Sequence, residues 1–319
     1  MLNRRQFLLG VMGTVGAGMV GSAWGCQTKS DRPSVLRMTD PRKALVLWYS
    51  PTGHTGRLGR LFGKVLEKNG LAVTAAELRG FDLTRAPEFD LIMIGTPVHY
   101  MDIPPTVAEW LRRLPELNGT AVAAWVTFGN KGSNQVNTGW HVVETLMAKG
   151  GAPVGMRTFG NMNTYSLSLV GSGAQRTLKH KHLPNEKTFA DARQFVGDVL
   201  ANIRQNRLVT VDHVFDVTGL VVPLRPMWWA KKSIKDHSID LNKCTQCGTC
   251  MRGCPVNAIE ATSKAIDRER CVLCCACVNN CPVDAVRMVS GGTTAVGFRR
   301  FCRENGIVIV EPPELTSAT

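Results

Sequence analysis

Acidic residues are in short supply: the chain carries 25 Asp and Glu against 38 Lys and Arg, a formal charge of +13. Beyond residue 26 it also lacks any apolar run approaching the roughly 20 residues that a membrane-spanning helix needs, so this part of the chain is expected to be soluble. No nucleic-acid-binding motif occurs, and the basic residues are scattered rather than interleaved with aromatics. Nucleic acid is therefore excluded as the expected partner. The basic balance points instead to anionic lipid or to an acidic redox partner protein. At 319 residues the chain accommodates two domains, one of ordinary size and one small.

Cysteine, by contrast, is plentiful. Eight of the 11 cysteines fall in two runs of the form C-x2-C-x2-C-x3-C-P, Cys244, Cys247, Cys250, Cys254 with Pro255 and Cys271, Cys274, Cys277, Cys281 with Pro282. This is the bacterial-type spacing for paired [4Fe–4S] clusters, in which the fourth cysteine of each run ligates the other run's cluster. The expected sets are Cys244, Cys247, Cys250 with Cys281, and Cys271, Cys274, Cys277 with Cys254. Zinc sites use one tetrahedral set per ion and have no use for the third cysteine and the proline. Disulfides have little room to form at such close spacing.

The two runs repeat at a period of 27 residues, with Ile239-Asp240 matching Ile266-Asp267 and Ala258-Ile259 matching Ala285-Val286. This duplicated half-module resembles the two-[4Fe–4S] bacterial ferredoxins over residues 237–290. Cys275 aligns with Gly248 and is read as a free thiol beside the ligands.

Residues 44–49 form a continuous apolar run, as a buried parallel strand does. Ser50-Pro51-Thr52-Gly53-His54-Thr55 follows, then a helical pattern with Leu58, Leu61, Phe62, Val65 and Leu66 on one face. A strand, a hydroxyl-and-glycine turn and a helix N-terminus together favour an anion, because backbone N–H groups and the helix dipole point at it. The hydroxyls alone would also serve as an ordinary helix cap. Further strands are expected at 71–78, 91–95, 121–128 and 153–159. Helices are expected from Pro104-Pro105 through Leu114, over 142–149 and over 189–203.

The third strand runs into Thr96-Pro97-Val98-His99-Tyr100, and the fourth ends in Thr127-Phe128-Gly129-Asn130. These three loops, each at a strand's carboxyl end, resemble in order the phosphate loop and the two ring loops of flavodoxins. That resemblance implies a doubly wound parallel α/β sheet binding FMN. It assigns Ser50, Thr52, Gly53, His54 and Thr55 to the phosphate, Thr96, Pro97, His99 and Tyr100 to the first ring loop, and Phe128, Gly129 and Asn130 to the second. Where the family often has a glycine after the first ring loop's aromatic, this chain has Met101 and Asp102.

The N-terminal Arg4-Arg5-Gln6-Phe7-Leu8-Leu9 and the weakly apolar stretch to Trp24 resemble a twin-arginine export signal. Cys26 after Gly25 resembles a lipoprotein acceptor site, and ordinary cleavage or an uncleaved anchor are the alternatives. Export of a folded, cofactor-loaded chain agrees with cytoplasmic assembly of clusters. The expected location is the periplasm or the outer face of the cytoplasmic membrane, attached through the N-terminus or a lipidated Cys26.

The chain thus divides into a leader (1–26), a linker (27–41), a flavodoxin-like domain (42–206), a connector (207–236), a small α+β ferredoxin domain (237–290) and a tail (291–319). In the tail, Ile307-Val-Ile-Val310 is expected to add a strand or pack across a domain edge. The whole resembles the flavodoxin–ferredoxin fusion proteins, which implies an electron carrier linking FMN to two [4Fe–4S] clusters. A flavin enzyme acting on a quinone or porphyrinogen is the rival reading, and no acid–base or nucleophile constellation beside the loops favours it. A flavin-less domain that docks a ferredoxin is the third.

Overall fold

The structure of the protein, a computed structural model, describes residues 35–129, 132, 134–214 and 227–316. The leader with Cys26, residues 27–34 of the adjoining linker, Asn130 and residues 215–226 of the connector lie outside the described residues. Among the described residues no helix is long and apolar enough to cross a membrane.

Five parallel strands form the main sheet: β1 (Lys43–Trp48), β2 (Ala72–Glu77), β3 (Leu91–Pro97), β4 (Ala121–Phe128) and β5 (Ala152–Gly160), in the order β2-β1-β3-β4-β5. The strand order reverses next to β1, which opens a crevice at the carboxyl ends of β1 and β3. β1, β3 and β4 are buried on both faces, which is why they read as unbroken apolar runs. Edge strand β2 is only half-buried and correspondingly mixed in sequence.

Helices α1 (His54–Lys68) and α5 (Glu186–Arg204) cover one face of the sheet, and α2 (Pro105–Arg112) and α3 (Asn134–Ala148) cover the other. The first layer packs Leu58, Leu61, Phe62, Phe195 and Val199 against Val46, Met93 and Trp125. The second packs Val107, Trp110, Val143 and Leu146 against Leu45, Ile92 and Val122. Two bulky indoles require glycine opposite them. A Cβ on Gly59 would lie 2.3 Å from the Trp48 ring, and one on Gly95 would lie 2.1 Å from Trp125.

The sheet and its helices agree with the expected doubly wound fold. Helix α3 starts eight residues before the expected 142, because its polar first turn carries no apolar period. A short helix α4 (Gly171–Leu178) lies within the long connection after β5, where Gly and Ser gave no helical pattern.

The second module follows α6 (Met227–Ser233). It consists of an antiparallel sheet, β6 (Ile234–Ile239), β7 (Val286–Ser290) and β8 (Thr293–Thr294), with two one-turn helices, α7 (Thr249–Gly253) and α8 (Ala276–Asn280). The repeat is visible in the backbone: Gly248 and Cys275, one period apart, both begin their helices with left-handed backbone, at φ 72° and 58°.

The tail forms α9 (Phe298–Glu304) and α10 (Pro313–Thr316) rather than a strand. Ile307 and Ile309 pack beside Met162 and Phe298, while Val308 and Val310 point outward. The run alternates like a strand but has no neighbouring strand to pair with among the described elements.

Candidate functional site: cysteine cavities docked on the sheet's carboxyl end

The duplicated loops bring the eight cysteines into two cavities. Cys244, Cys247, Cys250 and Cys281 line the first, and Cys254, Cys271, Cys274 and Cys277 line the second. Each cavity is thus lined by the first three motif cysteines of one run and the last of the other, and Cys275 lines the second as well. Among the described residues no three His, Cys, Asp or Glu side chains converge as the ligands of a single metal ion would. The motif thiols line the walls of the two cavities, four to each, the donor set that a [4Fe–4S] cluster takes.

Backbone N–H groups already point at the sulfurs, in two-fold related pairs. Gln246 N and Leu273 N each donate to the first cysteine of a run, Cys244 and Cys271, at 3.4 Å. Ala258 N and Ala285 N each donate to the last, Cys254 and Cys281, at 3.2 Å. Such donors stabilise thiolate over thiol.

Burial separates the two sites. Cys247 is exposed, and its hydrogen bond with Thr249 (3.3 Å) pulls its thiol below the ordinary value. In the second cavity, burial pushes Cys271, Cys274 and Cys277 up, so thiolates there need a neutralising cation, as bound iron supplies.

The second cavity sits against the flavodoxin-like domain. Arg79, just beyond β2, donates to the carbonyls of Arg252 and Cys254, both at 3.0 Å. Asn280 of α8 donates to the carbonyl of Pro51 (2.6 Å), in the loop after β1. Its neighbour Asn279 is buried and fully bonded: Ser166 Oγ (2.8 Å) and Phe298 N (2.9 Å) donate to its Oδ1, and its Nδ2 donates to Thr164 O (3.0 Å).

The sequence-predicted loop residues then divide by surroundings. Thr55 Oγ1 shares a hydrogen bond with Thr127 (2.7 Å) and Thr52 Oγ1 donates to Thr164 (3.2 Å), so both hydroxyls are engaged. Gly53 begins α1 with left-handed backbone, and no side chain caps the helix. Ser50 Oγ, His54 Nε2, Tyr100 OH and Asn161 Nδ2 are buried without a hydrogen-bond partner. Orphaned polar atoms beside an uncapped helix N-terminus fit an anionic, hydroxyl-bearing ligand such as a ribityl phosphate.

The first ring loop is a tight turn. His99 and Asp102 exchange backbone hydrogen bonds, both 2.9 Å, across Tyr100 and Met101, whose φ angles are 47° and 67°. Two residues other than glycine are thus held in the left-handed region here. Thr96 is fully buried with its hydroxyl on Pro97 O (3.0 Å), and the His99 ring meets Tyr49 edge-on at 6.1 Å. Burial holds His54 down at about 3 and His99 at about 4, so both are uncharged at neutral pH. In the second ring loop Phe128 is half-buried, and Gly129 lies so close to Asn163 that a Cβ would meet its Cα at 2.3 Å.

Tyr100 packs into the core of the cysteine-rich module, not only over its own loop. Cys275 is buried and lines the second cavity, its Sγ 3.6 Å from Leu273 O. Two residues that sequence reasoning passed over also stand here. Tyr49 faces Cys274, and His237 of β6 lies between Cys271 and Cys277. The 27-residue repeat could have found His237, since it pairs that residue with Lys264, which lines the first cavity. Tyr49 carried no such signal.

The 4Fe-4S binding domain family matches at residues 237–260 and again at 264–287. No curated protein matches the chain. Among solved structures, a flavodoxin from the domain Archaea is 16% identical, covering 51% of this chain and 99% of that one, with a TM-score of 0.39. Oxidised Flavodoxin 2 from Bacillus cereus is likewise 16% identical, covering 50% and 99%, with a TM-score of 0.40. Rubredoxin oxygen:oxidoreductase from Desulfovibrio gigas is 14% identical, covering 51% and 36%, at 0.37. The chain is a flavodoxin-like parallel α/β domain followed by a small 4Fe–4S binding domain.

Proposed function

We propose that this protein is an electron carrier with two [4Fe–4S] clusters, one in each cysteine-lined cavity, and FMN on the loops after β1, β3 and β4. The observation that carries the reading is the docking of the second cavity against the loops after β1 and β3, through Tyr49, Tyr100 and the Asn280–Pro51 contact, with Arg79 beyond β2 beside them. When bound, FMN supplies one- or two-electron chemistry and each cluster one-electron chemistry. The chain's own residues supply the positions. Ser50, His54 and the N-terminus of α1 hold the anionic end of the ligand, and Tyr100 lies between the ring loop and the second cavity.

Cys247, the exposed ligand of the first cavity, marks the side on which an external partner docks. It is open to solvent, whereas Cys274 is half-buried and Cys277 buried. The twin-arginine-like N-terminus supports action beyond the cytoplasmic membrane, with clusters inserted before export, and the charge of +13 supports an acidic partner.

The test is made on anaerobically purified protein lacking residues 1–25, by measuring iron, sulfide and flavin per chain with spectra before and after reduction. About eight irons are expected, as two cubanes require, with one FMN. Eight irons without flavin, even after FMN is added, would refute the flavin half. Bound zinc in place of iron would refute the clusters.

A further inference from the structure

The backbone donors to the cysteine sulfurs are the same in both cavities, because the repeat copies them. Apart from burial, what distinguishes the two sites must come from side chains. In the first cavity the side chains that meet a ligand sulfur, Thr249 (accepting from the Cys247 thiol at 3.3 Å) and Thr245, both do so at exposed Cys247, where water competes with them. The second cavity has two donors, both buried.

The first is His237. Its Nε2 lies 3.5 Å from Cys277 Sγ and its Nδ1 lies 4.0 Å from Cys271 Sγ, so the imidazole bridges two members of one ligand set. The residue is 8% exposed, and an uncharged imidazole has a single N–H to give. The shorter contact assigns that proton to Nε2, toward Cys277. Its repeat partner, Lys264, is turned to Met251 Sδ (3.7 Å) instead of a ligand sulfur. The two halves of the module therefore differ at this position by a hydrogen bond.

The second donor comes from the other domain. Tyr49, the residue after β1, is 7% exposed, and its hydroxyl has no hydrogen-bond partner of good geometry. Cys274 and Thr106 are polar side chains that lie near it. A buried phenol without a partner is costly. A thiolate at Cys274, an acceptor only, is the group that would satisfy it.

We propose that His237 and Tyr49 donate hydrogen bonds to the thiolates of Cys277 and Cys274, and so raise the reduction potential of the cluster in the second cavity. One of these donors belongs to the flavodoxin-like domain, so the potential is set across the domain interface. The proposal rests on the reading that a cluster fills this cavity. The physical basis is that reduction adds negative charge, much of it on the sulfurs, and a donor directed at sulfur stabilises the reduced form more than the oxidised one.

The experiment is a potentiometric titration, followed by electron paramagnetic resonance, of the full cluster-loaded protein and of Tyr49→Phe, His237→Leu and His237→Gln. Iron and sulfide are counted in each. Tyr49→Phe and His237→Leu are each expected to move one of the two one-electron waves to more negative potential and leave the other in place. Loss of one charge-assisted donor corresponds to roughly a tenfold shift in the equilibrium, about 59 mV for a one-electron couple. His237→Gln keeps an N–H and is expected to recover part of the shift. Eight irons with both waves unmoved in Tyr49→Phe and His237→Leu would overturn the proposal and leave the carrier reading intact. Both waves moving together would overturn it as well, since that reports general loosening. Iron absent from the unsubstituted protein would instead refute the cluster reading itself. Should His237→Leu fail to assemble, Tyr49→Phe, which removes one oxygen atom, decides alone.

Discussion

Asn279 shows how a single side chain holds the two modules in register. It is 2% exposed, and its amide makes three hydrogen bonds, to Ser166, Thr164 and the N–H of Phe298. Replacing it with Ala strands a hydroxyl, a carbonyl and an N–H in the seam. Each stranded group costs on the order of 1–3 kcal/mol, and part is recovered where water enters. Asn279→Ala is expected to lower stability by about 2–4 kcal/mol, read as a lower urea midpoint. An unchanged midpoint would mean that the seam already contains water. The buried histidines give a second effect at this scale. His54 and His99 sit near 3 and 4, below the ordinary 6.5, so the unfolded chain binds more protons than the folded one between these values. Stability is complete above about pH 6.5 and falls as pH drops toward 4, with a slope of up to about 1.4 kcal/mol per pH unit for each histidine. His54→Gln removes one of the two, so its stability should fall less steeply between about pH 6.5 and 5 than that of the unsubstituted protein. Parallel profiles would show that His54 is protonated without cost.

At the scale of elements, what was legible in the sequence followed from burial. β1, β3 and β4 are covered on both faces, and a parallel strand with helices on either side must be apolar at every position. The cysteine groupings were legible because spacing and duplication both constrain them. Helix α4 and the first two turns of α3 were not, since their residues are polar or small and their helicity comes from neighbours in space. The tail takes the second of its two expected forms, packing across a domain edge without adding a strand, for the opposite reason. Ile307 and Ile309 pack on one side, but strand structure needs a pairing edge, and pairing is not written in alternation. The contact of Tyr49 and His237 with the cysteine ligands was out of reach in the same sense, as one depends on domain docking and the other on the fold of the repeat. Helix α5 is a case where local signal and structure coincide. Asn185 accepts from Thr188 N (3.1 Å) while Thr188 Oγ1 accepts from Asn185 N (3.3 Å), a reciprocal cap. Asn185→Ala is expected to cost about 1 kcal/mol, seen as a lower thermal midpoint. No change would mean that tertiary packing alone holds the helix start.

For the whole molecule the tail closes the arrangement. After the cysteine-rich module the chain runs through α9, where Phe298 meets the His54 ring edge at 5.3 Å, and returns to the flavodoxin-like domain. There Glu311 pairs with Arg57 (2.7 Å), whose side chain is 9% exposed, and Glu314 pairs with Arg193 (2.7 Å). Both arginines lie on helices that pack on the same face of the sheet, so the tail straps the second module to the first layer of helices. Arg57 is also in the first turn of α1, beside the uncapped N-terminus, and Glu311 offsets its charge there. A chain ending at Val310 loses both carboxylates, and the buried guanidinium of Arg57 must find water or draw the helix start toward solvent. Hydrogen exchange should then rise in the first turn of α1, in α8 and in α9, by an order of magnitude or more, while β3 and β4 keep their protection. Equal protection in the shortened and full-length chains would show that the Asn279 and Arg79 contacts suffice without the strap. Faster exchange throughout, strands included, would mean that the tail supports the fold of the sheet itself and not the seating of one module on the other.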